Sequence, residues 1–166
     1  LTAGGPYRIG VLTLSDKGAR GEREDESGRI LREMIAPLGS VERYLVIPDD
    51  QETIVRTLVE WVDREGLDLI LTTGGTGLSP RDLTPEATAR VIDRQVPGMA
   101  EAMRMASMAK TPHAMISRAL AGVRRTTLII NLPGSPKGVR ENLEVVFPAL
   151  GHALAKLKGD PADCAR

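Results

Sequence analysis

The chain has 166 residues, with 22 lysines and arginines against 22 aspartates and glutamates, so no excess of positive charge points to nucleic acid or a membrane surface as its main partner. Apolar residues make up 42% and charged residues 27%, the balance of an ordinary globular domain around one core. One cysteine, Cys164, and two histidines, His113 and His152, leave no material for an intramolecular disulfide or a cysteine- or histidine-rich metal cluster, and fit a reducing, cytoplasmic setting.

Arg8 to Leu14 predicts a first strand, ended by Ser15 and Asp16. The charged run from Lys17 to Asp25 reads as solvated surface. Ile30, Leu31, Met34, Ile35 and Leu38 recur at helical spacing, and Gly39 stands where a helix-ending glycine belongs. Val41 to Ile47 predicts a second strand, stopped by Pro48. Asp49-Asp50 then opens a helix with one apolar stripe, Ile54, Val55, Leu58, Val59 and Val62, which Gly66 ends.

Leu67 to Thr73 predicts a third strand, and a loop of glycines and hydroxyls follows it as far as Asp82. Thr84-Pro85-Glu86 has the form of a helix start, with Thr84 as N-cap and proline next. Pro97-Gly98 separates that helix from another over Met99 to Ala109. Five of the six methionines fall between Met99 and Met115, where they are expected to fill the core. Pro112 to Arg125 has room for a short helix and an extra strand. Thr127 to Leu132 predicts a further strand, left by Pro133-Gly134-Ser135-Pro136-Lys137. The stripe Val139, Leu143, Val146, Leu150, Leu154 and Leu157 predicts a last helix, kinked or split at Pro148. No run approaches the roughly 20 apolar residues of a membrane span, and Leu1 to Pro6 is too short and uncharged for a signal peptide. A single domain over residues 1–166 is expected.

Strands alternating with amphipathic helices imply an α/β fold with a mostly parallel sheet covered on both faces. Parallel strands present their carboxyl ends along one edge, where ligands of such folds bind. The four clear strands deliver Ser15-Asp16, Asp49-Asp50, Thr73 to Asp82 and Pro133 to Lys137 to that edge. In the glycine loop, Gly74, Gly75 and Gly77 let the backbone approach a ligand and aim N–H groups at an anion, while Thr73 and Thr76 add hydroxyls. Asp82 can hold a hard cation such as Mg²⁺ beside a phosphate; as a turn aspartate it would only bond nearby backbone. The loop is not a P-loop, because no Gly-Lys-Ser/Thr follows the glycines. Lys137 is a point charge for phosphate at a helix N-terminus, where an acidic residue would stabilise the helix better.

Taken together, Leu71 to Gly77, Asp82-Leu83-Thr84-Pro85-Glu86-Ala87, Asp93 to Gly98, Ile116-Ser117-Arg118 and Leu132 to Lys137 resemble the signature of the molybdopterin-binding MoaB/Mog family, as do Leu14-Ser15-Asp16 and Ile47-Pro48-Asp49. The resemblance implies a three-layer α/β/α sandwich, a homotrimer, and transfer of AMP from ATP to molybdopterin with Mg²⁺ and release of pyrophosphate. It implies that Asp49 and Asp82 are the catalytic carboxylates and hold the Mg²⁺. Asp49 is also a plausible helix cap, and Asp50 can be the cap in its place. Ser15, Asp16, Thr73, Gly74, Gly75, Thr76, Gly77, Ser117, Arg118, Pro133, Gly134, Ser135 and Lys137 are then expected to contact the pterin or the nucleotide, and Glu101 to reach the site from its helix. A molybdenum insertase is the implied downstream partner. Two alternatives share the fold: a pterin-binding protein of the MoaB kind without transferase activity, and a nucleotide-cleaving enzyme of the competence-damage type. Thr84-Pro85 and Pro136-Lys137 resemble the Mog branch.

Overall fold

A computed structural model describes residues 5–162, so residues 1–4 and Cys164 lie outside the described part. In chain order the elements are β1 (Tyr7–Leu14), α1 (Asp16–Ala19), α2 (Glu26–Ile35), β2 (Gly39–Ile47), α3 (Gln51–Asp63), β3 (Leu69–Thr73), α4 (Thr84–Val91), β4 (Arg94–Gln95), α5 (Pro97–Met108), a 3₁₀ turn (Pro112–Ile116), β5 (Ala121–Arg124), β6 (Thr127–Leu132) and α6 (Pro136–Leu157). The strands form one six-stranded sheet in the order β2-β1-β3-β6-β5-β4. β2, β1, β3 and β6 are parallel; β5 pairs antiparallel with β6 and β4 antiparallel with β5.

Alternation along the strands splits the core into two layers. Ile9 and Val11 of β1, Leu69 and Leu71 of β3, and Leu128 and Ile130 of β6 face α2, α5 and α6. Leu12, Ile70 and Ile129 face the other way, against Ile54, Leu58 and Trp61 of α3 and Ala87 of α4. Truncating a side chain with no exposed surface, such as Ile70 or Leu71, to alanine would cost about 2–5 kcal/mol. Among the described residues no helix is long and apolar enough to cross a membrane.

Three local expectations are corrected. Gly39 does not end α2; it opens β2, and a Cβ built on it would stand 2.0 Å from the Tyr7 carbonyl oxygen, so glycine is needed for the approach of β1. Thr84 is not an N-cap; it is the first residue of α4, and its hydroxyl donates to the Gly74 carbonyl at 2.9 Å. Of the methionines in the Met99–Met115 cluster only Met103 is fully buried, whereas Met105, Met108 and Met115 are exposed. α6 runs through Pro148 without being split. Asp50 is the cap of α3, accepting from the Thr53 N–H at 2.9 Å, which leaves Asp49 free of that task.

The chain leaves β1 for β2 on one side and returns to β3 on the other. The strand order therefore reverses at β1/β3, and in open α/β sheets the crevice at such a point takes the ligand. Antiparallel β5 begins where β6 ends, with Ala121 opposite Ile130. The segment leading into β5, which carries Ser117 and Arg118, is thereby delivered to the same edge as the parallel-strand ends.

Candidate functional site

Three loops meet at Gly74. Its φ of 100° is left-handed, and a Cβ there would stand 2.5 Å from the Leu14 carbonyl oxygen at the end of β1. A Cβ on Gly134, after β6, would stand 3.3 Å from the Gly74 Cα. The Gly74 N–H donates to the Leu132 carbonyl at 3.2 Å and the Thr73 hydroxyl to the Pro133 carbonyl at 2.6 Å. Gly75, with φ 68°, has no room for a Cβ: it would lie 2.3 Å from the Thr84 hydroxyl and 3.3 Å from Asp49 Oδ1. Among the described residues the N–H groups of Gly75, Thr76 and Gly77 meet no protein acceptor.

Asp49 and Asp16 clasp each other through the main chain. The Asp49 N–H donates to Asp16 Oδ1 at 3.0 Å, and the Asp16 N–H donates to Asp49 Oδ2 at 3.2 Å. Arg81 adds a fork onto Asp16, at 3.0 and 2.8 Å. The two carboxyls respond in opposite senses. Hydrogen bonding from Arg81 holds Asp16 below the usual carboxylate range. Burial first, then the charges of Asp16 and Asp82, push Asp49 above it. Asp82 accepts from the Ser79 N–H at 2.9 Å and returns its own N–H to the Ser79 carbonyl at 2.9 Å. It thus makes the local bond of a turn aspartate and still faces the cleft.

That cleft, of about 680 Å³, lies over the carboxyl ends of β1, β3 and β6 and includes Asp49 and Asp82. Its other charges come from the segment opening α2: Arg23, Glu24, Asp25 and Glu26. One cation therefore faces five carboxylates. Asp25 caps α2, accepting from the Gly28 N–H at 2.9 Å, and also receives the Thr13 hydroxyl at 2.7 Å and the Tyr44 hydroxyl. Burial and that bond to Asp25 push the Tyr44 hydroxyl up to about 12. Beside the cap, the Ser27 hydroxyl donates to the Gly134 carbonyl at 2.7 Å and ties α2 to the loop after β6.

A second cavity, of about 310 Å³, adjoins the first at Ser135, between α5, the 3₁₀ turn and α6. Here Arg104, Lys110 and Lys137 outnumber Glu141, over an apolar floor that includes Met103 and Ala114. Lys110 sits 3.3 Å from Glu141; Lys137, 83% exposed, is 4.0 Å from it.

Asp49 and Asp82 offer the hard oxygens that suit Mg²⁺ delivered with phosphate. Among the described residues no cluster of three or more acidic, histidine or cysteine side chains stands ready to cage a metal alone. The donor set thus fits an ion shared with a phosphorylated ligand.

Residues 10–152 match the family described as a probable molybdopterin binding domain. The chain belongs to that family. It is 43% identical over 155 residues to a molybdopterin adenylyltransferase of Helicobacter pylori, spanning 92% of this chain and 88% of that protein. It is 41% identical over 150 residues to the molybdopterin adenylyltransferase of Escherichia coli K12, spanning 89% and 77%. The crystal structure of the molybdopterin biosynthesis enzyme MoaB from Thermus thermophilus is similar in fold, with a TM-score of 0.87 at 56% identity over 95% of this chain and 99% of that one.

Within this molybdopterin-binding fold the expected residues separate by cavity. Ser15, Asp49, Thr73, Gly74, Gly75, Asp82 and Gly134 line the acidic cleft, and Thr76, Ser117, Pro133 and Lys137 the cationic one, with Ser135 in both. Asp16 stands at the rim, bonded to Asp49. Gly77 lies beside Asp82, whose Oδ2 is 2.9 Å from where its Cβ would be. Arg118 lines neither cavity; its guanidinium is engaged behind the loop, with the carbonyls of Gly77 and Asp82 and with Glu86. Glu101 is exposed and reaches neither cavity. The reason is helical phase: α5 turns Ala100, Met103, Arg104 and Ser107 toward the cavity, and Glu101 sits about 100° from Ala100. That same spacing was the signal by which Arg104 could have been found. Asp25, Lys110 and Glu141 carry no such local pattern. His113 is exposed and lies on the cationic cavity's lining.

Proposed function

We propose that the chain is a molybdopterin adenylyltransferase of molybdenum cofactor biosynthesis, transferring AMP from ATP to the phosphate of molybdopterin and releasing pyrophosphate. The observation that carries this is the adjacency of two unlike cavities at Ser135, one ringed by Asp49, Asp82 and the unpaired Gly75 amide, the other by Arg104, Lys110 and Lys137. Two phosphorylated reactants need such neighbouring berths.

An oxygen of the pterin phosphate attacks the α-phosphorus of ATP. The bond from that phosphorus to the bridging oxygen breaks, and pyrophosphate leaves with the electron pair. The attacking oxygen is already anionic, so no general base is required. The barrier is mutual repulsion of anions, and catalysis is positioning and charge neutralisation. The N–H groups of Gly75, Thr76 and Gly77 offset charge on the phosphates without having to reorganise. Lys137 supplies a mobile point charge from the adjoining cavity. Held by Asp49 and Asp82, Mg²⁺ would neutralise the triphosphate that those carboxylates alone would repel. Thr73, Thr84 and Ser27 keep the three loops in register.

The test is one assay with ATP, Mg²⁺ and molybdopterin, following both pyrophosphate and the adenylylated pterin. Both are expected to appear in equal amounts. A second reading, a pterin-binding protein of the MoaB kind without transfer, predicts pterin binding with no pyrophosphate. We also carry forward a homotrimer, a cytoplasmic setting and handover to a molybdenum insertase. Sedimentation giving three times the chain mass supports the trimer, and a stable monomer contradicts it.

A further inference from the structure

We infer that Arg118 is a positioning residue that sets the place of Asp82, and not a ligand-binding cation. This rests on the reading of Asp82 as a catalytic carboxylate. Three observations converge on it. First, one guanidinium closes both ends of the loop that bears Asp82: Nε donates to the Gly77 carbonyl at 2.8 Å and the terminal nitrogen Nη2 donates to the Asp82 carbonyl at 2.7 Å. Its other terminal nitrogen pairs with Glu86 Oε1, on the first turn of the helix that follows the loop. Each of the three guanidinium nitrogens thus has a protein acceptor, and Arg118 lines neither cavity.

Second, the post that carries this fork is itself fixed. The Arg118 N–H donates to the Thr76 carbonyl at 2.9 Å, one residue before the clasped segment. On either side of Arg118, the carbonyls of Ser117 and Ala119 accept from the terminal nitrogen Nη1 of Arg104, at 3.4 and 2.9 Å. Two arginines therefore brace one short segment, Arg104 from α5 and Arg118 onto the glycine loop. Third, Glu86 holds Arg118 through Oε1, and among the described residues its Oε2 is buried without a partner.

Among the described residues, only the Ser79 N–H holds the Asp82 carboxylate directly. Its backbone is placed by Arg118. Misplacing a reacting-centre group by about 1 Å can cost about a hundredfold in rate.

The experiment uses charge-preserving and charge-removing variants in the full chain. Arg118→Lys keeps the charge and loses the planar fork. The expected result is kcat lower by about a hundredfold, with KM for ATP and for molybdopterin changed less than about twofold. Arg118→Ala should behave alike and regain activity with added guanidinium. In the protein without substrates, hydrogen exchange of the Ser79, Asp82 and Thr84 amides should quicken about tenfold in Arg118→Lys, while β1 and β3 amides keep their protection and report an intact core. Glu86→Ala, which leaves Arg118 in place but unaimed, is the companion variant and should quicken the same three amides. A raised KM in Arg118→Ala that lysine restores would overturn the inference, as would unchanged exchange in Arg118→Lys and Glu86→Ala. The exchange arm needs no turnover. If those amides quicken and the wild type makes no adenylylated pterin, the proposed function fails and the clasp stands.

Discussion

The two cavities at Ser135 are built from opposite materials. The larger one sets a single arginine against five carboxylates, and its walls are the ends of parallel strands and the segment opening α2. The smaller sets three cations against one glutamate over an apolar floor, and its walls are helices. An acidic cleft accepts a polyphosphate only with a metal ion as partner, whereas a cationic one accepts an anion directly. The contrast gives each cavity its own chemical handle, and substitutions in one should leave the other's ligand bound.

The largest effect is expected from Asp82→Asn. Asparagine can still accept the Ser79 N–H, so the turn survives and only the charge is lost. Pyrophosphate release should fall by about a thousandfold, with molybdopterin affinity, measured by calorimetry, unchanged. A fall in pterin affinity instead would merge the two cavities into one site.

Asp49→Asn comes next, at about a hundredfold. Because burial raises the Asp49 pKa, the acid limb of kcat/KM should lie above the ordinary carboxylate range and vanish in the variant. Stability should move the other way. A raised carboxyl pKa means that the folded state binds the proton more tightly, so the cost of the buried charge is absent below the unfolded pKa and fully present above the folded one. At neutral pH the variant should therefore melt about 2 °C higher, and the gap should close as pH falls through the carboxylate range. An unchanged melting temperature at neutral pH would mean that the charge is not penalised.

Lys137→Ala tests the other cavity. With 83% of its side chain exposed, the lysine's pairing with Glu141 is weak, and removal should raise KM for molybdopterin about fivefold, an effect that shrinks with added salt. Arg81→Ala should be the mildest, about threefold on kcat, because it frees Asp16 while the Asp16–Asp49 main-chain bonds remain.

The strand-end walls of the acidic cleft were readable from sequence, whereas its charges from Arg23 to Glu26, read as solvated surface, and most of the cationic cavity's charges were not, and the reason is physical. The acidic cleft is made where predicted strands end, so each apolar run that stops at Ser15, Asp49, Thr73 or Pro133 announces one wall. The cationic cavity is made of side chains on α5, the 3₁₀ turn and α6, brought together only by packing. Arg104, Lys110 and Glu141 look like solvated charges until those helices are assembled. Glu101 shows the converse: a residue near the right place in sequence, turned away by helical phase. Capping was misread at Gly39 and Thr84 because the same residue types serve tertiary contacts, a close strand approach in one case and a loop carbonyl in the other. The antiparallel β5 was foreseen only as an extra strand, yet its reversed direction is what delivers Arg118 to Asp82.

The most direct test is a crystal structure with a non-hydrolysable ATP analogue, Mg²⁺ and molybdopterin. The account predicts phosphate density against the Gly75, Thr76 and Gly77 amides, a metal peak bonded to Asp49 and Asp82, and the pterin phosphate within reach of the α-phosphorus across Ser135. Ligand density away from this rim, for instance in the groove between Arg94 and Lys156, with Asp49 and Asp82 untouched, would contradict it.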